Sequence, residues 1–287
     1  MKLMGISDEA ANTLDGQLEA TRALGWKFIE MRGVEVRGFP KANFHDISDA
    51  AFDAAVTKLE AANIHVYCFG SAVMNWAKRV GDPFETTLSE IKRAIPRMQR
   101  LGTRYIRIMS FKPDDDTSKT PREVFQRVKD VTNRFLDAGI QPLHENCMNH
   151  GGMSWQHALE LLEKCPGLKW LFDPANPVFN PDRSKPKPWP KQDPWEFWMH
   201  VREHVAHIHI KDAILEFGET GRRLHVARGG RQPVAGHSHR RNRPEVRCGY
   251  FSGTAHGGGV PRCEGEGGRR NHAEELCGIR PACGVVD

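Results

Sequence analysis

No stretch of the chain is apolar over anything near the ~18 residues a helix needs to cross a bilayer, which excludes a membrane-spanning protein. The opening residues Met1-Lys2-Leu3-Met4-Gly5-Ile6-Ser7-Asp8-Glu9 reach two acids before an apolar segment can form. They carry no secretory signal pattern, and a cytoplasmic protein is expected. No pair of cysteines has C-x-x-C spacing, and nothing calls for an oxidising compartment. Lysine is missing from residues 225–287, where ten arginines against six acids supply +4 of the formal +5. The preceding residues are therefore close to neutral and lack the basic footprint of a DNA-binding surface.

What is present is the composition of a soluble globular chain, 287 residues with 39% hydrophobic and 27% charged. The length suits one closed α/β barrel, which often occupies ~250 residues. Residues 225–287 differ from the rest. They hold 13 of the 27 glycines and four of the seven cysteines, but few residues able to build a core. Two regions are expected: a barrel domain over 1–224 and a Gly/Arg/Cys-rich tail over 225–287 that does not fold by itself.

Up to residue 212 one pattern recurs: a helical period, a glycine stop, a short apolar strand, then a polar residue at its end. Gly25, Gly102, Gly139 and Gly167 each stand one to three residues before such a strand. Strands are expected over 2–7, 27–32, 65–70, 105–110, 140–145, 168–173 and 206–211. Helices are expected over 14–24, 48–62, 84–101, 121–136, 154–165 and 194–205. Helical crossovers imply a parallel sheet. Seven such units without a nucleotide-binding glycine fingerprint favour a (β/α)8 TIM-barrel-like fold, its last βα unit missing or disrupted, over an open doubly wound sheet.

In such barrels the chemistry lies where the strands end. Glu145, Asp173 and His209 close the fifth, sixth and seventh strands. Two carboxylates and an imidazole suit Mn2+, Mg2+, Co2+ or Zn2+ at an open position. Each has a bland alternative: an ion pair for Glu145, a turn cap for Asp173, a buried core imidazole for His209. Period two sets His207, His209 and Lys211 on one face, with His209 nearer the mouth and His207 buried below it. Lys211, Asn176, Glu30 and Arg32 are candidate substrate contacts, and Trp76 can either stack on a substrate or pack the rim. Gly151 and Gly152, after Glu145, read as a flexible substrate loop. The Pro-rich stretch 180–190 reads as a solvated excursion or a lid.

The segments Gly5-Ile6-Ser7-Asp8-Glu9, Phe28-Ile29-Glu30-Met31-Arg32, Leu143-His144-Glu145-Asn146, Phe172-Asp173-Pro174-Ala175-Asn176 and His207-Ile208-His209-Ile210-Lys211-Asp212 together resemble the sugar phosphate isomerase/epimerase family, whose members have a xylose-isomerase-like barrel. The resemblance implies that Glu145, Asp173 and His209 bind a divalent metal with a further glutamate from the eighth strand. It also implies that Glu145 moves protons between adjacent carbons of a small sugar, sugar phosphate or polyol through an enediolate. Asn176 stands where many members carry a substrate-binding histidine. An inosose-type dehydratase, an apurinic-endonuclease-like phosphodiesterase and an inactive sugar-binding relic are the alternatives. The expected partner is a small sugar or polyol, with no nucleic acid or membrane and with a homo-oligomer left open.

The eighth-strand glutamate, normally in a Glu-Pro-His context, does not occur after residue 212. Read one nucleotide later, codons for Cys248 to Cys263 can encode Ala-Gly-Ile-Ser-Leu-Glu-Pro-His-Met-Ala-Val-Val-Phe-His-Asp. The tail therefore reads as a frameshift product; the rival is a genuine metal- or RNA-binding appendage. Resequencing the gene across codons 215–265 is expected to place a gained or lost nucleotide between Glu219 and Val226. An unaltered gene, with the tail intact in purified protein, refutes this.

Overall fold

The computed structural model describes residues 2–210 and the backbone of 213–218, 221–226 and 251–253. Lys211, Asp212 and most of the tail, including its expected lack of order, lie outside the described residues. Seven parallel strands form the barrel wall: β1 (Leu3–Ile6), β2 (Phe28–Met31), β3 (His65–Phe69), β4 (Tyr105–Ile108), β5 (Gln141–Glu145), β6 (Lys169–Phe172) and β7 (Val205–Ile210). Between them run α1 (Leu14–Ala23), α2 (Asp49–Ala62), α3 (Phe84–Leu101), α4 (Arg122–Asp137), α5 (Trp155–Lys164) and α6 (Pro194–Val201). The glycine stops behave as the pattern requires: Gly25, Gly102, Gly139 and Gly167 have φ of 67°, 63°, 76° and 87°. An L side chain is disfavoured in that left-handed region. Asn63, at φ 51°, does the same for α2.

The eighth position is filled in an unexpected direction. Phe251–Gly253, β8, pairs antiparallel with both β1 and β7, where a (β/α)8 barrel carries a parallel strand. The edges of β1 and β7 are thus paired over a few residues, and the eighth parallel unit is disrupted as the sequence pattern implies. A hairpin of Ala213–Gly218 with Gly221–Val226 precedes it. Among the described residues no helix is long and apolar enough to cross a membrane.

Alternation along the strands separates two apolar clusters. Ile106, Ile108, Trp170 and Phe172 join the large cluster between wall and helices. Tyr105, Leu143 and Leu171, each one residue away from these or from His144, join a small second cluster with Cys68 and Ala206. Continuing the same face by two residues brings Arg107, Glu145 and Asp173 into the barrel above that floor. Each fully buried residue such as Ile29, Phe135 or Trp170 contributes about 2 kcal/mol through removal of apolar surface from water.

One loop differs from its sequence reading, and a second is partly tied down. Gly151 and Gly152 are buried rather than free. A Cβ on Gly152 would sit 1.8 Å from the Cys147 carbonyl oxygen, and one on Gly151 would sit 2.5 Å from the His144 ring. Close approach of backbone, not freedom of movement, calls for glycine here. The 180–190 stretch is solvated over Ser184–Pro188 and at Pro190, as the excursion reading has it, but its start is anchored, with Asn180 and Asp182 buried. Arg183 donates to the carbonyls of Asp114 and Thr117 at 2.6 and 2.9 Å, Gln192 donates to Gly152 O at 2.8 Å, and Trp189 lies between the cations of Arg183 and Lys187.

Gly152→Ala is expected to destabilise the fold by about 3 kcal/mol, because the clash is with backbone that must move. A denaturant midpoint equal to that of the parent protein contradicts this packing. A second expectation concerns acid. Burial, and then the neighbouring cations, push His45 down to about 4 against the opposing Asp46, and burial with His157 and Arg183 does the same for His150. The His45 Nε2 accepts from the Ala72 amide at 3.1 Å, so protonation breaks that bond. Unfolded histidine titrates near 6.5, so between pH 6.5 and 4 the unfolded chain binds more protons and stability falls as the pH falls. The slope is up to about 1.4 kcal/mol per pH unit for each histidine. Urea unfolding at pH 7.0, 6.0 and 5.0 measures it; a flat or rising stability toward pH 5 overturns the assignment.

Candidate metal centre

Glu145 ends β5, and Asp173 follows β6 by one residue. Asn146 ties these two strand ends together: its Nδ2 donates to the Asp173 carbonyl at 2.9 Å and its Oδ1 accepts from the Asp173 amide at 2.7 Å. This double bond to backbone sets the separation of the two acids. Asp173 also caps the one-turn helix Asn176–Phe179, its Oδ1 accepting from the amides of Ala175 and Asn176 at 2.9 and 3.2 Å. The turn-cap reading of Asp173 therefore holds for one oxygen, while Oδ2 faces the His209 Nδ1 at 3.9 Å.

His209 lies across the barrel on β7, with its Nδ1 3.5 Å from Glu145 Oε1 and its Nε2 3.0 Å from Glu30 Oε2. His207, two residues earlier and on the same inner face, donates through Nε2 to the same Glu30 oxygen at 2.9 Å. Glu145 accepts a further bond from Arg107 Nη1 at 3.0 Å, and Asn176 Nδ2 lies 3.2 Å from its Oε1. Arg107 is itself held by the carbonyls of Gly70 and Ser71. Glu30, Glu145, Asp173, His207 and His209 are all at most 5% exposed.

Burial would lower the His209 pKa, but Glu30 and Glu145 beside it overcome that and raise it to about 10. Burial would likewise raise Glu30, and the two histidines hold it well below the usual carboxylate range. At neutral pH a proton on His209 supplies positive charge that the carboxylates need. The stability this adds is complete below pH 6.5 and is lost only as the pH climbs toward 10.

The donors fit a divalent cation. Two bonds of ~2.0–2.2 Å cannot separate their donor atoms by more than ~4.4 Å, and the His209 Nδ1 distances to Glu145 and Asp173 lie inside that bound. Glu145, Asp173 and His209 thus form a three-residue donor set with all three buried. A second cluster, His45, Asp46 and Glu90, is similarly spaced, but its Asp46 is exposed. Its acids already pair with Arg93 and Lys78, and Arg97 donates to the His45 carbonyl.

The other candidates are placed differently. Glu30, expected at the substrate, lies fully buried beneath the two histidines. Arg32 stands at the rim, its guanidinium engaged by Asp8 at 2.9 Å and by Glu9. Asn176 is in the centre beside Glu145. Lys211 lies outside the described residues. Trp76 keeps 48% of its surface exposed and buries the rest. Sequence reasoning gave no role to Arg107, although an arginine at the inward period of an otherwise apolar strand was the available signal. It likewise gave no role to Asn146, whose partner is the backbone of another strand.

Several solved structures share this architecture. A xylose isomerase-like TIM barrel protein from Mycobacterium smegmatis in complex with magnesium superposes with TM-score 0.56 at 14% identity, over 77% of this chain and 78% of that one. A probable 3-DHS dehydratase involved in petrobactin synthesis from Bacillus anthracis gives 0.55 at 16% identity, over 74% of each chain. A D-tagatose 3-epimerase-like protein gives 0.53 at 15% identity, over 72% of this chain and 75% of that one. No curated protein matches the sequence. At the level of sequence families, the model of the xylose isomerase-like TIM barrel matches residues 18–240, most of the chain and every inward residue of the centre, and the chain belongs to that family.

Proposed function

We propose that this chain acts on a small sugar, sugar phosphate or polyol as a divalent-metal-dependent isomerase or epimerase. The observation that carries the reading is the convergence of Glu145, Asp173 and His209, from three separate strands, on one buried point. Glu145, Asp173 and His209 would hold the metal, which when bound polarises a hydroxycarbonyl substrate and stabilises the oxyanion that forms on it. Magnesium in one structurally similar protein, and an epimerase-like protein and a probable dehydratase among the others, agree with this reading.

The protein's own residues supply the rest. Glu145 is the base, taking a proton from a substrate carbon at a carboxylate oxygen. In isomerisation it returns that proton to the neighbouring carbon while the hydroxyl proton passes to the carbonyl oxygen, and in epimerisation a second acid on the opposite face protonates the same carbon. Arg107, 3.0 Å from its Oε2, favours the ionised carboxylate and fixes its orientation. Asn176, beside Glu145 Oε1, offers an amide to a substrate hydroxyl. Burial of the acids keeps bulk water from competing for the proton.

A second reading has its own observation. The eighth stave, the place of a second acid in the resembling family, is occupied by the short antiparallel β8, and no Glu-Pro-His occurs in the tail. A sugar-binding protein that takes up metal without turnover fits that arrangement.

Calorimetric titration with Mn2+ is expected to show one site per chain. Glu145→Gln and Asp173→Asn should each weaken it beyond the ~100-fold that loss of an outer-shell partner can reach, with unchanged circular dichroism. Unchanged Mn2+ affinity in either variant removes the metal reading. Assays of the Mn2+ form on ketoses and inososes then separate turnover from binding alone.

A further inference from the structure

We infer that Glu30 is the positioning residue of this centre: it fixes the His209 ring so that Nδ1 presents its lone pair to the point shared by Glu145 and Asp173. The inference rests on the metal reading above and adds a residue from the opposite side of the barrel.

A neutral imidazole has one protonated nitrogen and one lone pair, so a ligating Nδ1 requires the proton on Nε2. An ionised carboxylate can only accept, which makes it the partner that enforces this tautomer. Glu30 Oε2 sits 3.0 Å from His209 Nε2, on the side of the ring away from Glu145 and Asp173. His207 donates to the same oxygen at 2.9 Å, its ring set at 81° to that of His209, and so keeps the carboxylate from turning away. His207 is therefore the residue that holds the holder.

Three further features point the same way. The pairing of β2 with β3 shifts register between Ile29 and Glu30, and irregularities of this kind re-aim a side chain beside functional sites. Glu30 Oε1 is buried with no hydrogen-bond partner among the described residues, a costly state for a carboxylate, so the packing is not what optimises this residue. Gly70, on the adjoining strand end, leaves the room: a Cβ there would come within 3.1 Å of both Glu30 Oε1 and the Arg32 Cβ.

The test uses the full chain with Co2+ as probe. Glu30→Gln keeps the shape, but its amide can offer a donor to His209 and stabilise the wrong tautomer. Co2+ affinity is expected to fall about 10–100-fold. The paramagnetically shifted, slowly exchanging imidazole N–H signal of His209 in the parent Co2+ protein should broaden or vanish, while circular dichroism is preserved. Should Glu30→Gln fail to fold, Gly70→Ala, which crowds the Glu30 carboxylate without altering its chemistry, should weaken Co2+ several-fold and speed exchange of the same proton. Parent affinity and an unchanged N–H signal in the folded variant overturn the role of Glu30 and leave the metal centre standing. A parent protein that takes up no Co2+ overturns both.

Discussion

Three carboxylates, Glu30, Glu145 and Asp173, are packed around a single imidazole inside a wall of apolar strands, and the charge balance of that cluster governs everything near the barrel mouth. Ionised acids removed from water are costly unless positive charge or hydrogen-bond donors reach them. Arg107 and Asn176 reach Glu145, the amides of the turn after β6 reach Asp173, and His207 reaches Glu30. His209 touches all three. A proton there, or a cation in the space its Nδ1 faces, supplies the remaining charge.

That arrangement explains how rigidity is distributed. Asn146 joins β5 to the backbone of the residue after β6, so the two acids facing His209 cannot drift independently. The buried glycines after Glu145 pack the following turn against Cys147 and His144. At the rim, Met74 and Phe111 adopt left-handed backbone, joined by the Phe111 amide donating to the Met74 carbonyl at 2.8 Å. Non-glycine residues are strained in that region, and such strain persists where the surrounding structure over-determines it.

The barrel was legible because its signals are local. Period-two apolar strands, helical periods and glycine stops lie within windows of a few residues, and the three donor residues all stand where a strand stops. The two-residue strands Gly33–Val34 and Ala42–Asn43 are too short to show any period. The roles of Glu30, Arg107 and Asn146 were hidden for a different reason. Glu30 is bonded to partners 177 and 179 positions away in sequence, and Arg107 to one 38 away. Nothing in the local pattern distinguishes a glutamate that meets a substrate from one that meets two histidines. The glycine pair after Glu145 was misread because glycine carries one letter for three needs: left-handed backbone, freedom of movement and close approach.

The bond between Glu30 and His209 also bears on closure of the barrel. Going round the wall, β2 neighbours β1, β1 neighbours β8, and β8 neighbours β7. The eighth stave thus lies within the stretch of wall that this side-chain bond spans. In that stretch the backbone pairing is brief: two registered pairs join β1 to β8 and three join β8 to β7, with Ser252 opposite His209 itself. The parallel ladder between β1 and β2 is equally short, with two registered pairs, so backbone bonds are few along the whole run from β2 to β7 through β8. The charged hydrogen bonds that both histidines of β7 donate to Glu30, each among the stronger kind available to side chains, add a side-chain tie across that run of the wall. The same carboxylate that bonds His209 beside Glu145 and Asp173 also ties β2 to β7, so in this chain the geometry of the buried cluster and the closing of the barrel are one constraint.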